Sequence, residues 1–272
     1  FWDAIYDDSK RVVVQFAPAV RVALGDEFGL EPGTNVAGKI VGALRKMGVD
    51  EVYDTTMGAD LTVMEESKEF VKKYKAGKKL PLFTSCCPAW VKYAEHEHPE
   101  LVEQISTCKS PMQIFSAVIK EHFKQVQEVD GKETVVFAIM PCTAKKDEQV
   151  RPEFIYEDGS RDTDGVITTQ EFASILKQAG IVFEDVEPEA ADMPFGITSG
   201  AGVIFGVTGG VAEAVIRRVV DDKSNNMLHN IAYTGVRGME GIKEASIPYG
   251  EGRVKIAVVN GLANAEKLIE QI

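Results

Sequence analysis

Residues 11–16 (Arg-Val-Val-Val-Gln-Phe) form a short β-branched run that ends in Ala17-Pro18-Ala19. This is the pattern of a buried parallel strand whose C-terminal end opens into a loop. The segments that follow alternate in kind. Residues 35–47 read as a helix, 51–54 as a strand, 59–74 as a helix and 81–83 as the start of a strand, and such alternation marks a parallel α/β layer. Helices over 88–97 and 111–128 lead to the acidic, glycine-containing stretch 128–132 (Glu-Val-Asp-Gly-Lys), the best candidate for a boundary. A second set then begins, with strands at 134–139 and 165–168, a helix at 170–179 and a late strand at 254–259 before the last helix. The expected organisation is a first α/β lobe over 1–130 and a second over 131–272, with no internal repeat.

Composition excludes several functions. With 44% hydrophobic residues in 272, the chain can bury one large core or two smaller ones, so disorder is excluded. A formal charge of -12 would repel a phosphate backbone, and no Lys/Arg run is interleaved with aromatics. Nucleic acid is therefore not an expected partner. Neither is a membrane, because no apolar run reaches the roughly 18 residues needed to span one. The four cysteines are too few to build a disulfide fold, and three of them lie in motifs that suit reduced thiols. A reducing, anaerobic and cytoplasmic setting follows as the expectation. The chain opens at Phe1-Trp2-Asp3 without Met and closes on Leu-Ile-Glu-Gln-Ile (268–272) inside a helical pattern, so both ends read as cut from something longer.

The chemistry concentrates in two cysteine motifs, Thr-Ser-Cys-Cys-Pro-Ala-Trp (84–90) and Met-Pro-Cys-Thr-Ala-Lys-Lys-Asp-Glu (140–148). Both lie just past the C-terminal end of an expected strand, where α/β sheets place their reactive groups. Successive side chains of an extended segment point to opposite sides, so Cys86 and Cys87 are suited to different tasks. Cys87 and Cys142 are thiols of the kind that hold iron-sulfur clusters, although a cubane takes four. Glu66 and Glu69 are three residues apart on an expected helix and share a face. With Lys68, Lys72 and Lys73 nearby, spacing alone favours a solvated charge pair. Ser106 supplies a hydroxyl able to bridge two carboxyl groups. The stretch 198–213 is glycine-rich, but Gly200, Gly202 and Gly206 lack G-x-G-x-x-G spacing and no Walker-type Lys-Ser/Thr follows. His96 and His98, beside Pro99, read as an exposed loop without a metal role, and Cys108 as a packed thiol.

Together the two cysteine motifs resemble the first two signatures of the catalytic domain of iron-only (FeFe) hydrogenases, and the resemblance extends from about residue 12 to 272. It implies two α/β lobes, each a small mostly parallel sheet flanked by helices, with the cluster in the interlobe cleft. It implies a [4Fe-4S] cubane linked to a diiron subcluster, together the H-cluster, and reversible reduction of protons to H2. By that resemblance Cys87 and Cys142 each bind one iron of the cubane. The two further ligands belong to a third motif, Met-x-Cys-x-x-Gly-Cys, that this chain lacks. Cys86 becomes the proton carrier beside the open iron, reached through Ser106, Glu69 and Glu66. Lys145 faces a cyanide of the diiron unit, and Met140, Ser110, Pro111, Ala17, Pro18, Phe205 and Gly206 wall its pocket. The implied partners are ferredoxin or cluster-bearing domains or subunits, and dedicated H-cluster maturation proteins. Two other readings stand beside this one: a hydrogenase-like iron-sulfur or H2-sensing protein without efficient turnover, and an unrelated nucleotide-using α/β oxidoreductase.

Overall fold

A computed structural model of the chain describes residues 1–220 and 241–272. These residues divide into two compact units, one of Phe1–Gly58 with Pro111–Thr198 and the other of Ala59–Ser110 with Ser199–Ile272.

The first unit is built on four parallel strands, β1 (Lys10–Phe16), β2 (Glu51–Asp54), β3 (Glu133–Met140) and β4 (Gly165–Thr168), in the order β2-β1-β3-β4. The order runs outward in both directions from the central pair, in which Phe16 lies opposite Ile139. That reversal makes the C-terminal ends of β1 and β3 a topological switch point, the place where open α/β sheets bind ligands. Both central strands are covered on both faces, which is why they read as continuous apolar runs. On one face Val12, Val14 and Phe16 pack with Ile40, Val41 and Leu44 of the helix Ala37–Lys46 and with Phe172, Ala173 and Leu176 of the helix Thr169–Gln178. Thr168 starts the latter helix by accepting the Glu171 amide, while the Glu171 carboxylate accepts the Thr168 amide in return.

On the other face Phe115, Ile119 and Phe123 of the helix Pro111–Asp130 cover Val13, Tyr53 and Val136. A fully buried polar network fixes that helix in register. Gln15 donates to the Met112 carbonyl at 3.0 Å and to Ser116 at 2.8 Å, and accepts from Thr55 at 2.9 Å. Every polar atom buried here that lacked a partner would cost about 1–3 kcal/mol, so the network selects one seating of the helix. Gly58 allows close approach: a Cβ there would lie 2.2 Å from the Pro111 carbonyl oxygen.

The second unit contains residues 59–76 of the helix Thr56–Ala76, the helices Pro88–Glu97, Gly210–Val219 and Leu262–Ile269, and an antiparallel hairpin of β5 (Ile242–Tyr249) and β6 (Gly252–Val259). Ile216, Val220 and Ile247 form its small apolar cluster.

Three expectations need correction. The proposed boundary at 130/131 falls inside the first unit, because β1 pairs along its whole length with β3 and so joins residues from both sides of it. The late strand at 254–259 pairs with β5 rather than joining a parallel layer, so the second unit's sheet is antiparallel. The strand expected at 81–83 is reduced to an isolated parallel bridge from Phe83 to Ile105.

Candidate active site and iron-sulfur ligands

In the second unit the double cysteine ends at the start of a helix. Cys87 is extended (φ -100°, ψ 102°) and is the N-terminal cap of the helix Pro88–Glu97, with Pro88 in the first turn where its missing N–H is no loss. Its thiol is exposed and makes no capping hydrogen bond, while Cys86 is half-buried.

Glu66, Glu69 and Ser106 come together in the same unit. The Ser106 hydroxyl donates to Glu69 Oε2 at 2.7 Å, the Thr107 amide donates to the same oxygen at 3.0 Å, and the Lys73 ammonium lies 2.9 Å from Glu69 Oε1. Burial alone would raise the Glu69 pKa, but Lys73, Ser106 and Thr107 outweigh it and hold the carboxyl below its ordinary value. Glu66 is the reverse case. It is 1% exposed and neither carboxyl oxygen has a hydrogen-bond partner. Burial pushes its pKa up to about 7, and the Glu69 charge adds to the rise; the Ser106 hydroxyl and the Ser85 amide, nearby but outside good hydrogen-bond geometry, oppose it only in part. Two carboxyls one helical turn apart are thus driven in opposite directions, the arrangement that separates acid and base roles.

In the first unit the switch point carries Ala17, Pro18, Met140 and Cys142. Ala17, directly after β1, donates its amide to the Ile139 carbonyl at 3.0 Å and is buried, with Pro18 half-buried beside it. Met140, 3% exposed, ends β3, and Cys142 follows as a half-buried thiol in the turn before the helix Ala144–Glu148. Lys145 on that helix makes an ion pair of 2.8 Å with Glu148, whose side chain is 5% exposed. Pro111 opens its helix as a half-buried residue. In the second unit Ser110 is 2% exposed, Phe205 is half-buried and Gly206 exposed. The glycine-rich stretch there breaks into two helices around Gly209, which is left-handed at φ 81°.

Sequence reasoning missed four contributors. Lys73 was read only as part of a charged face, although a Glu-x-x-x-Lys spacing was the available signal. Glu148 carries the same kind of signal three residues after Lys145. Ser85 donates to the Cys108 carbonyl at 2.6 Å, a contact that only the fold reveals. His98 is not in an exposed loop: its side chain is 13% exposed, and Nε2 lies 2.7 Å from Glu266 of the helix Leu262–Ile269.

The family model for the iron only hydrogenase large subunit, C-terminal domain, matches residues 10–272. The chain belongs to that family. This iron-only hydrogenase domain is 44% identical over 98% of its length to the NADP-reducing hydrogenase subunit HndD of Solidesulfovibrio fructosivorans, covering 47% of that protein. It is 43% identical over 98% of its length to iron hydrogenase 1 of Clostridium pasteurianum, covering 46%. The hydrogenase domain therefore spans about half the length of these curated relatives. It is also 29% identical, over 99% of its length and 58% of the other, to cytosolic iron-sulfur assembly component 3 of Mus musculus. Among solved structures, a variant of the [FeFe]-hydrogenase HydA1 from Chlamydomonas reinhardtii matches with a TM-score of 0.81 at 34% identity, covering 99% of this chain and 76% of that one.

The family implies iron-sulfur and H-cluster cofactors, and the thiols of the hydrogenase domain differ in their fitness for them. Cys87 is exposed at a helix N-terminus, and Cys142 sits at the sheet's switch point. Cys108 is less suited: burial, together with the charges of Glu66, Glu69 and Glu65, pushes its pKa up to about 12. Cluster iron takes thiolates; Cys87 is exposed and Cys142 half-buried in a turn, whereas the Cys108 thiol is turned to the carbonyls of Thr62 and Lys109.

Proposed function

We propose that the domain catalyses 2H+ + 2e- ⇌ H2, with Cys87 and Cys142 as thiolate ligands of the cubane and Cys86 as the last proton carrier. The observation that carries this reading is the graded set Glu69, Ser106 and Glu66. The side chain of Glu69 is 16% exposed, Ser106 is 6% and Glu66 is 1% exposed. A charged carboxylate near solvent, a bridging hydroxyl and a deeply buried acid that titrates at about 7 form a route by which a proton moves inward. Glu66 is matched to this task because an acid–base group works best when its pKa lies near the operating pH.

The H-cluster supplies the redox chemistry when bound. With Cys87 and Cys142 as two ligands, the cubane would take its other two thiolates from cysteines other than Cys86 and Cys108. Lys145, paired with Glu148 at 2.8 Å, would offer its ammonium to a cyanide ligand of the diiron unit. Met140, Ala17, Pro18 and Pro111 of the first unit, and Ser110, Phe205 and Gly206 of the second, are the residues that would shield a diiron unit from water. Electrons arrive from ferredoxin or from cluster-bearing domains or subunits, and maturation proteins deliver the diiron unit. No helix among the described residues is long and apolar enough to cross a membrane, and a cytoplasmic, anaerobic setting is part of this proposal.

A second reading, an iron-sulfur protein without hydrogen turnover, is favoured by the similarity to the assembly component. The hydrogenase relatives share 41–44% identity against 28–30% for the assembly proteins, which favours turnover. Cys86→Ser in the matured protein tests it: iron content should hold while H2 evolution is nearly abolished. Full activity in that variant would remove the relay.

A further inference from the structure

The segment bearing Cys86 is tied to the segment bearing Ser106 by very little backbone. Phe83 donates its amide to the Gln104 carbonyl at 3.1 Å and accepts the Ser106 amide at 2.8 Å, and this bridge is isolated. The next link is a side chain. Ser85, immediately before Cys86, donates its hydroxyl to the Cys108 carbonyl at 2.6 Å. Cys108 is gripped at its other end as well, because its amide donates to Ser106 Oγ at 3.2 Å, and Ser106 in turn donates to Glu69.

We infer that Ser85 is a positioning residue of the proton relay, replacing the absent ladder bond and holding Cys108 so that its amide fixes the oxygen of Ser106. This rests on the relay reading given above. A hydroxyl that passes protons must keep its oxygen still while its hydrogen turns from one acceptor to the other. Ser has two lone pairs. The Cys108 amide occupies one and leaves one to receive a proton, so the hydroxyl is anchored yet free to relay. Releasing Cys108 frees the Ser106 side chain to leave its staggered well, and the same loss unties the residue preceding Cys86. The acceptor on Cys108 is its backbone carbonyl, so the Cys108 thiol itself is not required.

The test uses matured holoenzyme carrying Ser85→Ala, the isosteric pair Ser85→Thr and Ser85→Val, Cys108→Ala and Cys86→Ser. H2 evolution is measured with a reduced dye, and the infrared carbonyl band of protonated Glu66 is assigned by its loss in Glu66→Gln. Small misplacements of reacting groups are costly, so Ser85→Ala and Ser85→Val should lower kcat by about tenfold with KM for the dye unchanged. They should also shift the Glu66 band. Ser85→Thr, which keeps the hydroxyl, should restore both, and Cys108→Ala should match wild type. Wild-type kcat with an unshifted band in Ser85→Ala, or a Thr variant as impaired as the Val variant, would overturn the positioning role alone. Wild-type turnover in Cys86→Ser would instead remove the relay on which it depends.

Discussion

Glu66→Gln isolates the energetic consequence of burying an unpartnered carboxyl. In the folded protein the acid titrates at about 7 instead of its ordinary 4.5. Its folded pKa lies above its unfolded pKa, so the native state binds the extra proton between those values. Stability is fully present below 4.5 and declines as the pH rises through 7. At 1.36 kcal/mol per pKa unit the penalty above that window is roughly 3 kcal/mol. Gln has nearly the same shape and no charge to desolvate, so the variant should be free of the penalty. Urea denaturation of wild type and Glu66→Gln from pH 4.5 to 8.5 measures it. The stability difference should move in favour of Gln by roughly 3 kcal/mol across the range, most steeply at about pH 5–6.5, between the unfolded and folded values. A difference that stays constant with pH would refute the assignment of a buried, protonatable Glu66.

The other expectations concern single contacts. Lys73→Met removes the cation on Glu69, whose folded pKa is lowered, so it should cost about 1 kcal/mol at neutral pH; this loss should shrink as the pH falls below the ordinary 4.5. Cys142→Ala should prevent stable cubane incorporation, read as loss of iron and of visible absorbance; unchanged iron would contradict its role as ligand. Gly58→Ala drives a methyl against the Pro111 carbonyl and should destabilise by about 1–3 kcal/mol in thermal unfolding. An unchanged midpoint would show that the helix can shift freely.

Local pattern carried much of the structure. The β-branched runs at 11–16 and 134–139 appear as β1 and β3, and the helix expected at 88–97 begins at Pro88, because strand burial and proline geometry act within a few residues. Which strands pair is a different matter. The β1–β3 pairing spans more than a hundred residues and depends on which faces remain apolar after the helices dock, so the linear boundary near 130 failed. The antiparallel hairpin was half visible, since β6 has the apolar pattern while in β5 (Ile-Lys-Glu-Ala-Ser-Ile-Pro-Tyr) polar residues and a proline interrupt it and only Ile247 is buried. At the site, helical spacing put Glu66 and Glu69 on one face. It did not show that one would be buried without a partner and the other clasped by Lys73, because those fates are set by residues 85 and 106 arriving from elsewhere in the chain. His98 was misread for the same reason: its partner Glu266 is 168 residues away.

Infrared spectroscopy of the protein produced together with H-cluster maturation proteins tests the proposed chemistry most directly. Bands of iron-bound CO and cyanide, with cyanide bands that move in Lys145→Met, are the predicted result. A protein that binds a cubane through Cys87 and Cys142 yet shows no such bands would contradict hydrogen turnover and leave an iron-sulfur protein of another kind.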